Sequence, residues 1–225
     1  VNGSKDPIMP KDNYIKLNDL FATYFSENLD SIGSLDFTQE VYDGTYPGYG
    51  SSYPDLQGGL GLLFEQASSR GLKQKTAYGE ITFPFTIRNQ FVSSLATVQA
   101  AVENKALLRD YQKAFFESAL TRSKRSKIKA YNFTETDQNR TRAFLDKLIR
   151  HRVKVLKTGT HSSSVPTEQP QYRMVQTFFE TYDTYRDSVY YDASAWSVAN
   201  FYNIKYKTAL KTPSGTPVVA LEDLI

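Results

Sequence analysis

Between two long stretches of helical periodicity lies a five-residue apolar run, Leu60-Gly61-Leu62-Leu63-Phe64, too short for a helix and without polar alternation. Bounded by turn signals, such a run is the pattern of a strand buried on both faces. Helices on either side of it point to an α/β fold. The run ends in Glu65, a carboxylate with no adjacent basic residue. Just upstream, residues 43–59 form a turn-rich stretch containing Pro47, Gly48, Gly50, Ser51, Ser52 and Pro54. Loops of that length in a compact domain are either functional or disordered, and the density of Tyr here argues against disorder. A carboxylate at the carboxyl end of a buried strand, beside a working loop, sits where open α/β sheets place active sites. Apolar walls at such a place raise a glutamate's pKa toward neutrality and suit it to general-base work. The competing reading is a surface glutamate that merely follows a strand. Gly58, Gly59 and Gly61 permit close backbone approach but open no helix, so they form no dinucleotide fingerprint.

The remaining elements follow from periodicity and punctuation. Asp12 or Asn13 can cap a helix carrying Ile15, Leu20, Phe21, Tyr24, Phe25 and Leu29, which Gly33 then stops. Glu80–Phe85 alternates like an edge strand, with Pro84 tolerable only at an edge. A helical pattern runs from Ile87 to Val102 and resumes from Leu107 to Leu120, bent near Asn104. A basic link and short strand follow over Lys124–Tyr131, then a helix capped by Thr136 or Asp137 with Phe144, Leu145, Leu148 and Ile149 on its apolar face. Val153–Leu156 reads as a strand, Thr158–Pro166 as a polar loop, and Met174, Phe178 and Phe179 as a last helix, together a second small α/β unit. These readings divide the chain into 1–123 and 124–225, with the link at Ser123–Ser126.

Charge and composition exclude some functions. The net charge of +3 conceals a basic middle, +10 from Lys105 to Lys157 against −7 elsewhere. Those cations are interleaved with helical apolar positions and carry no nucleic-acid motif, so they read as a solvated face rather than a nucleic-acid footprint. No apolar stretch is long enough to span a membrane. With no Cys there is neither a disulfide framework nor a thiolate metal site. Asn2, Asn132 and Asn139 each head a glycosylation tripeptide, a pattern common by chance. Ser162-Ser163-Ser164 lacks the frame of a nucleophile elbow. Trp196 reads as a packing anchor, a sugar platform being the alternative.

The run from Tyr53 through Phe64-Glu65-Gln66-Ala67-Ser68-Ser69-Arg70-Gly71 resembles the last catalytic segment of zinc carboxypeptidases, more narrowly large bacterial members of the carboxypeptidase A-like family. The resemblance continues through Gly79, Phe83-Pro84-Phe85-Thr86-Ile87-Arg88 and the following helix, covering about residues 13–111. Downstream, Gln169-Pro170 and the stretch Asp187 to Trp196 are similar to the region after the peptidase domain in the same proteins. It implies that residues 1–123 are the C-terminal part of a mixed peptidase sheet with helices, followed by the small α/β unit. It also implies a zinc-activated water attacking a peptide carbonyl, with Glu65 taking the water's proton and passing it to the leaving amine. Tyr46, or failing it Tyr49, would close over the peptide substrate. Arg70 would fix loop geometry, meet a substrate carboxylate or form a structural salt bridge. A secreted or periplasmic location is implied as well.

The departure from the family matters equally. Its zinc ligands, a His-x-x-Glu pair and a later His, lie upstream of the strand-end Glu, and this chain has no His before Glu65. His151 and His161 stand downstream at no zinc-motif spacing and read as a helix C-terminal cation and a loop residue. The start at Val1 leads to the expectation of a C-terminal piece of a longer enzyme, with zinc only in the intact parent and none in this chain. The alternative is a non-catalytic module that holds a partner through the Tyr-rich loop or the basic helices. A missing half would leave a sheet edge around Leu60–Phe64 unpaired, a template for homo-oligomers.

Overall fold

A computed structural model describes residues 8–37, 46–180 and 197–220. The chain is mixed α/β, and its sheets are antiparallel. It forms two compact units, one from residues 10–42 and 59–111, the other from 4–9, 43–58 and 112–225. The division falls between Tyr111 and Gln112, inside a helix that runs on through Ser123, whereas the sequence places the link at Ser123–Ser126.

The first unit is built on two 21-residue helices, α1 (Lys11–Ser31) and, named below as α3, Phe83–Glu103. α1 starts after Pro10, and neither Asp12 nor Asn13 is its N-cap. It stops as expected at Gly33, whose φ of +66° suits a residue without Cβ. There Gly33 N–H donates to Asp30 O and Ser34 N–H to Leu29 O, the paired bonds of a Schellman end. After α2 (Tyr53–Leu56), which belongs to the other unit, residues 60–69 take no regular structure. The strand expected at Leu60–Phe64 is therefore absent among the described residues, and with it the sheet edge proposed there for oligomerisation. Leu60 and Leu62 instead pack against Phe21, Phe25, Ala96 and Ala100, and the Phe64 ring meets Phe25 edge-on at 4.6 Å. Alternate side chains reach the helices, but a strand also needs a neighbour's backbone.

A two-stranded hairpin, β1 (Lys73–Thr76) and β2 (Gly79–Thr82), leads into α3 (Phe83–Glu103). The edge strand expected over Glu80–Phe85 ends at Thr82. Thr82 Oγ1 accepts from Phe85 N–H at 3.3 Å, and Pro84 sits in the first turn, where its missing N–H costs nothing. α3 ends at Glu103, and α4 (Lys105–Arg125) follows across Asn104, the position of the expected bend. α3 presents Asn89, Ser93, Ala96 and Ala100 to the unit's interior.

The second unit holds a five-stranded antiparallel sheet. Its strands are β3 (Ala130–Thr134), β4 (Val155–Gly159), β5 (Ser162–Pro166), β6 (Tyr206–Ala209) and β7 (Thr216–Val218), in the order β6-β3-β5-β4-β7. α5 (Gln138–Arg150) is capped by Asp137, whose Oδ1 accepts from Arg140 N–H at 3.1 Å. Thr158–Pro166 is not a loop: only its turn is, and Ser162–Pro166 is a central strand. Ser163 and Ser164 are fully buried, and their hydroxyls donate to Glu135 Oε1 and Asn132 Oδ1, which lets serines occupy a core position. α6 (Tyr172–Phe179) has every residue buried, and the short α7 is Val198–Phe201. The core stacks Tyr131 on Phe179 at 4.6 Å, with Phe144 edge-on to Phe133 and Phe179. No described helix is long and apolar enough to cross a membrane.

Gly58 yields one prediction. Its φ is +70°, and a Cβ built there meets the buried Phe115 ring at 3.1 Å. The left-handed conformation alone costs an L-residue about 1–2 kcal/mol. Gly58→Ala is expected to lower stability by about 1–3 kcal/mol, read from the urea midpoint.

Candidate functional site

Glu65 follows directly on the segment that packs against α1 and α3, and it is exposed. It stands in irregular backbone, not at the end of the buried strand that the sequence suggests. The turn behind it is ordered by its own polar groups. Ser68 Oγ accepts from Arg70 N–H at 3.0 Å, and the buried Ser69 hydroxyl donates to Gly71 O at 2.6 Å. Arg70 and Gly71 both have positive φ, +46° and +112°. A non-glycine residue there is uncommon, and the pair of serine bonds holds it. Phe83 N–H donates to Leu72 O at 3.0 Å, tying the end of this turn to the start of α3. The Arg70 side chain is exposed.

Tyr46 and Tyr49 belong to the second unit. Their rings meet edge-on at 5.2 Å, Tyr49 N–H donates to Tyr46 O, and Tyr46 lies 6.2 Å from Phe201. The structure thus brings Glu65 and Arg70 together in one unit, and Tyr46 and Tyr49 together in the other.

The two histidines also lie in the second unit. His151 is the C-cap of α5; its Nδ1 is 2.6 Å from Lys147 O, and its ring stands edge-on to Tyr53 and Phe178. His161 occupies the β4–β5 turn, and its carbonyl accepts from Glu135 N–H. Among the described residues no three His, Asp or Glu side chains converge on a point where a metal could sit. Trp196 and the stretch Asp187 to Trp196 lie outside the described residues, as do Tyr42 and Asn2. Asn132 is in β3 and Asn139 in the first turn of α5.

Two polar clusters escaped the sequence reading. Lys157 Nζ donates to both oxygens of Glu135, at 2.8 and 3.0 Å, beside Ser163. Lys157 and Ser163 are register partners on β4 and β5, a juxtaposition invisible while Ser163 is read as loop. At the end of α6, Glu180 accepts from the Tyr131 hydroxyl at 2.9 Å and from Gln176 Nε2 at 3.1 Å. Burial, then the charge of Glu180, push the Tyr131 phenol far up, so it serves as a permanent donor. The Tyr206 hydroxyl donates to Phe179 O, and burial raises that phenol too. Both clusters brace the sheet through charged and polar side chains bonded to one another, the arrangement of structural networks.

A third cluster ties α1 to the α3–α4 junction. Tyr24 hydroxyl donates to Glu103 Oε2 at 2.8 Å, Gln99 Nε2 donates to Oε1 at 3.0 Å, and Asn104 Nδ2 donates to the Tyr24 oxygen at 3.0 Å. The bonds from Gln99 and then Tyr24 hold the Glu103 carboxyl below its ordinary range, while Glu103 pushes the Tyr24 phenol up. A depressed carboxyl stabilises above its unfolded pKa, and that gain is lost as pH falls through the folded value. A raised phenol stabilises below its unfolded pKa and loses that gain as pH rises through the folded value. The stability difference between the native chain and Tyr24→Phe is therefore expected to be largest between about pH 5 and 9 and to shrink toward both extremes, in melting temperatures across that range. A flat difference would show that the contact adds nothing to the pH dependence of stability.

No protein-family model, curated protein or solved structure matches the chain.

Proposed function

We propose that this chain is part of a carboxypeptidase-like hydrolase and supplies Glu65 as the general base that deprotonates the attacking water. The single observation behind this reading is the run Phe64-Glu65-Gln66-Ala67-Ser68-Ser69-Arg70-Gly71 with its continuation into Phe83-Pro84-Phe85. Its geometry is compatible with the role. Phe64 anchors the residue before Glu65 on Phe25, the serine-braced turn fixes the chain behind it, and the carboxylate is open to solvent. A base must reach a water and then a leaving group, and an anchored backbone under an accessible carboxylate meets that need. Arg70, in the braced turn, would offer a guanidinium to a substrate carboxylate.

The described residues do not fit a zinc site. Two histidines engaged in a helix cap and a hairpin turn, with no converging carboxylates among the described residues, make no ligand set. Any zinc ligands would come from beyond the described residues. Secretion or a periplasmic location belongs to the same proposal.

The exposure of Glu65 in irregular backbone favours a second reading, a non-catalytic module holding a partner through the Tyr46–Tyr49 loop. Turnover by the full-length protein before and after Glu65→Gln decides between them. No turnover in either supports the module, and unchanged turnover removes Glu65 as the base.

A further inference from the structure

At one end of the second unit's sheet, two segments far apart in sequence bring their cations together. Ala130 at the start of β3 pairs with Ala209 at the end of β6. Beside that pair Lys129 N–H donates to Ala209 O at 2.7 Å, and the Thr212 hydroxyl donates to Lys129 O at 3.2 Å. Lys129 Nζ in turn donates to Lys124 O at 3.0 Å, which draws in the end of α4. Lys124, Arg125, Lys127 and Lys129 thereby stand beside the segment carrying Lys207 and Lys211, and all but Lys129 are exposed. Residues 121–134 and 197–220 contain no Asp or Glu. Among the described residues none of the six cations forms an ion pair, whereas Arg140, Arg150 and Lys157 of the same unit each meet a carboxylate. Leu210, between Ala209 and Lys211, is 77% exposed.

Local rules account for parts of this cluster and not for the whole. Cations in the last turn of α4 complement the helix dipole, and a lysine on the edge strand β6 guards it against pairing. Neither rule calls for Lys127 and Lys211 in the connections alongside, nor for an exposed leucine among them. We propose that this end of the second unit is a docking surface for the headgroups of an anionic lipid bilayer, with Leu210 entering the apolar layer beneath them. Five of the six cations are Lys, a point charge on a flexible stem, whereas recognition of one particular carboxylate or phosphate favours the planar fork of Arg. Point charges spread over one surface suit a plane of headgroups, and clusters of about four to eight such residues are drawn to anionic lipid. Leu210 adds apolar area that a bilayer accepts and water does not.

A nucleic-acid strand is the other polyanion that such a charge attracts, and the residues favour it less. Single strands are held by stacking their bases on exposed aromatic rings. Residues 121–130 and 207–220 contain no aromatic residue, and the tyrosines of β3 and β6, Tyr131 and Tyr206, turn their rings onto Phe179 in the core. The contact is peripheral and needs no spanning helix. It lies wholly within the second unit and is independent of the peptidase reading, since it uses neither Glu65 nor Arg70.

The test is co-sedimentation of the full chain with vesicles of phosphatidylcholine carrying about 30% phosphatidylglycerol, against vesicles of phosphatidylcholine alone. Binding to the anionic vesicles only is expected, and about 0.5 M salt should release it by shortening the Debye length to about 4 Å. Each cation beside an anionic surface contributes about fivefold in affinity, so Lys207→Glu with Lys211→Glu should weaken binding by at least about 25-fold. Leu210→Ser should weaken it by about tenfold. Arg142→Glu with Lys147→Glu, the same charge change at exposed positions of α5, should alter it by less than about threefold. Urea midpoints of all three variants should match that of the native chain, because the altered side chains are exposed. Equal binding to neutral vesicles, an equal loss from the α5 reversal, or binding of a labelled single-stranded oligonucleotide with none to vesicles would each overturn the proposal. So would a native chain that ignores anionic vesicles; if the Lys207 and Lys211 reversal then lowers the urea midpoint, those cations serve the chain's own carboxylates instead.

Discussion

In the proposed role of general base, Glu65→Gln is expected to lower kcat by at least about 100-fold, because positioned acid–base groups contribute about 10²–10⁴ in rate. Glutamine keeps the shape and a hydrogen-bonding oxygen but cannot take a proton. Metal content should not change, since Glu65 is not proposed as a ligand. Stability should move by less than about 0.5 kcal/mol, the usual span for an exposed position away from caps and networks. Glu65→Asp should also fail, because withdrawing the carboxylate by one C–C bond is a misplacement that costs on the order of 100-fold. The braced turn makes this stringent: Ser68 and Ser69 hold the backbone just beyond, leaving little slack to carry a shorter side chain forward. Near-normal turnover of Glu65→Gln on a peptide substrate would reduce Glu65 to a surface residue.

Arg173→Ala is expected to cost about 3–5 kcal/mol, the range for breaking a buried charged group out of its partners. Arg173 lies on α6 and is only 2% exposed. Its Nε donates to Ile8 O at 3.2 Å, one terminal nitrogen to Phe115 O at 3.0 Å and the other to Ser118 Oγ at 3.2 Å, with the guanidinium 4.6 Å from the Phe115 ring centroid. One planar group thus joins the N-terminal segment, α4 and α6 within the second unit. Removing it takes a donor from three oxygens on two elements, Ile8 O of the N-terminal segment and Phe115 O and Ser118 Oγ of α4. Lysine cannot substitute, because its single ammonium lacks the planar fork that reaches three acceptors. Ser118→Ala, which removes one acceptor of the guanidinium and the hydroxyl's own bond to Phe115 O at 2.9 Å, should cost about 1–2 kcal/mol. The measurement is urea unfolding of the three variants. A loss below about 1 kcal/mol for Arg173→Ala would show that water replaces the guanidinium at no penalty.

Local rules placed much of this molecule. Gly33 ends α1, Asn104 separates α3 from α4, and Asp137 caps α5, because a helix satisfies its hydrogen bonds within its own segment and its ends are marked by the residues that complete them. The Thr82-Phe83-Pro84 helix start was legible by the same rule, a capping hydroxyl and an early proline, but the alternation of Glu80–Phe85 masked it. Glu65 and Arg70 were visible as a motif, and their place on a braced turn followed from Ser68 and Ser69 nearby.

Strands were another matter, since a strand exists only where another backbone pairs with it. Leu60–Phe64 has the composition of a buried strand and packs alternate side chains on the helices, yet it forms none among the described residues. Ser162–Pro166 has the composition of a loop and is a central strand, because β3 and β4 flank it and Glu135 and Asn132 receive its hydroxyls. Sequence alone therefore determined the α/β class, the end of α1 and the cap of α5, and put Glu65 forward as a candidate base. Tertiary structure alone decided which segments pair, that Arg173 is buried among three elements, and that one face of α3 is left apolar and open. The reason is the same in each case: helical order is written in neighbours along the chain, whereas pairing, burial and exposure depend on what distant residues bring alongside.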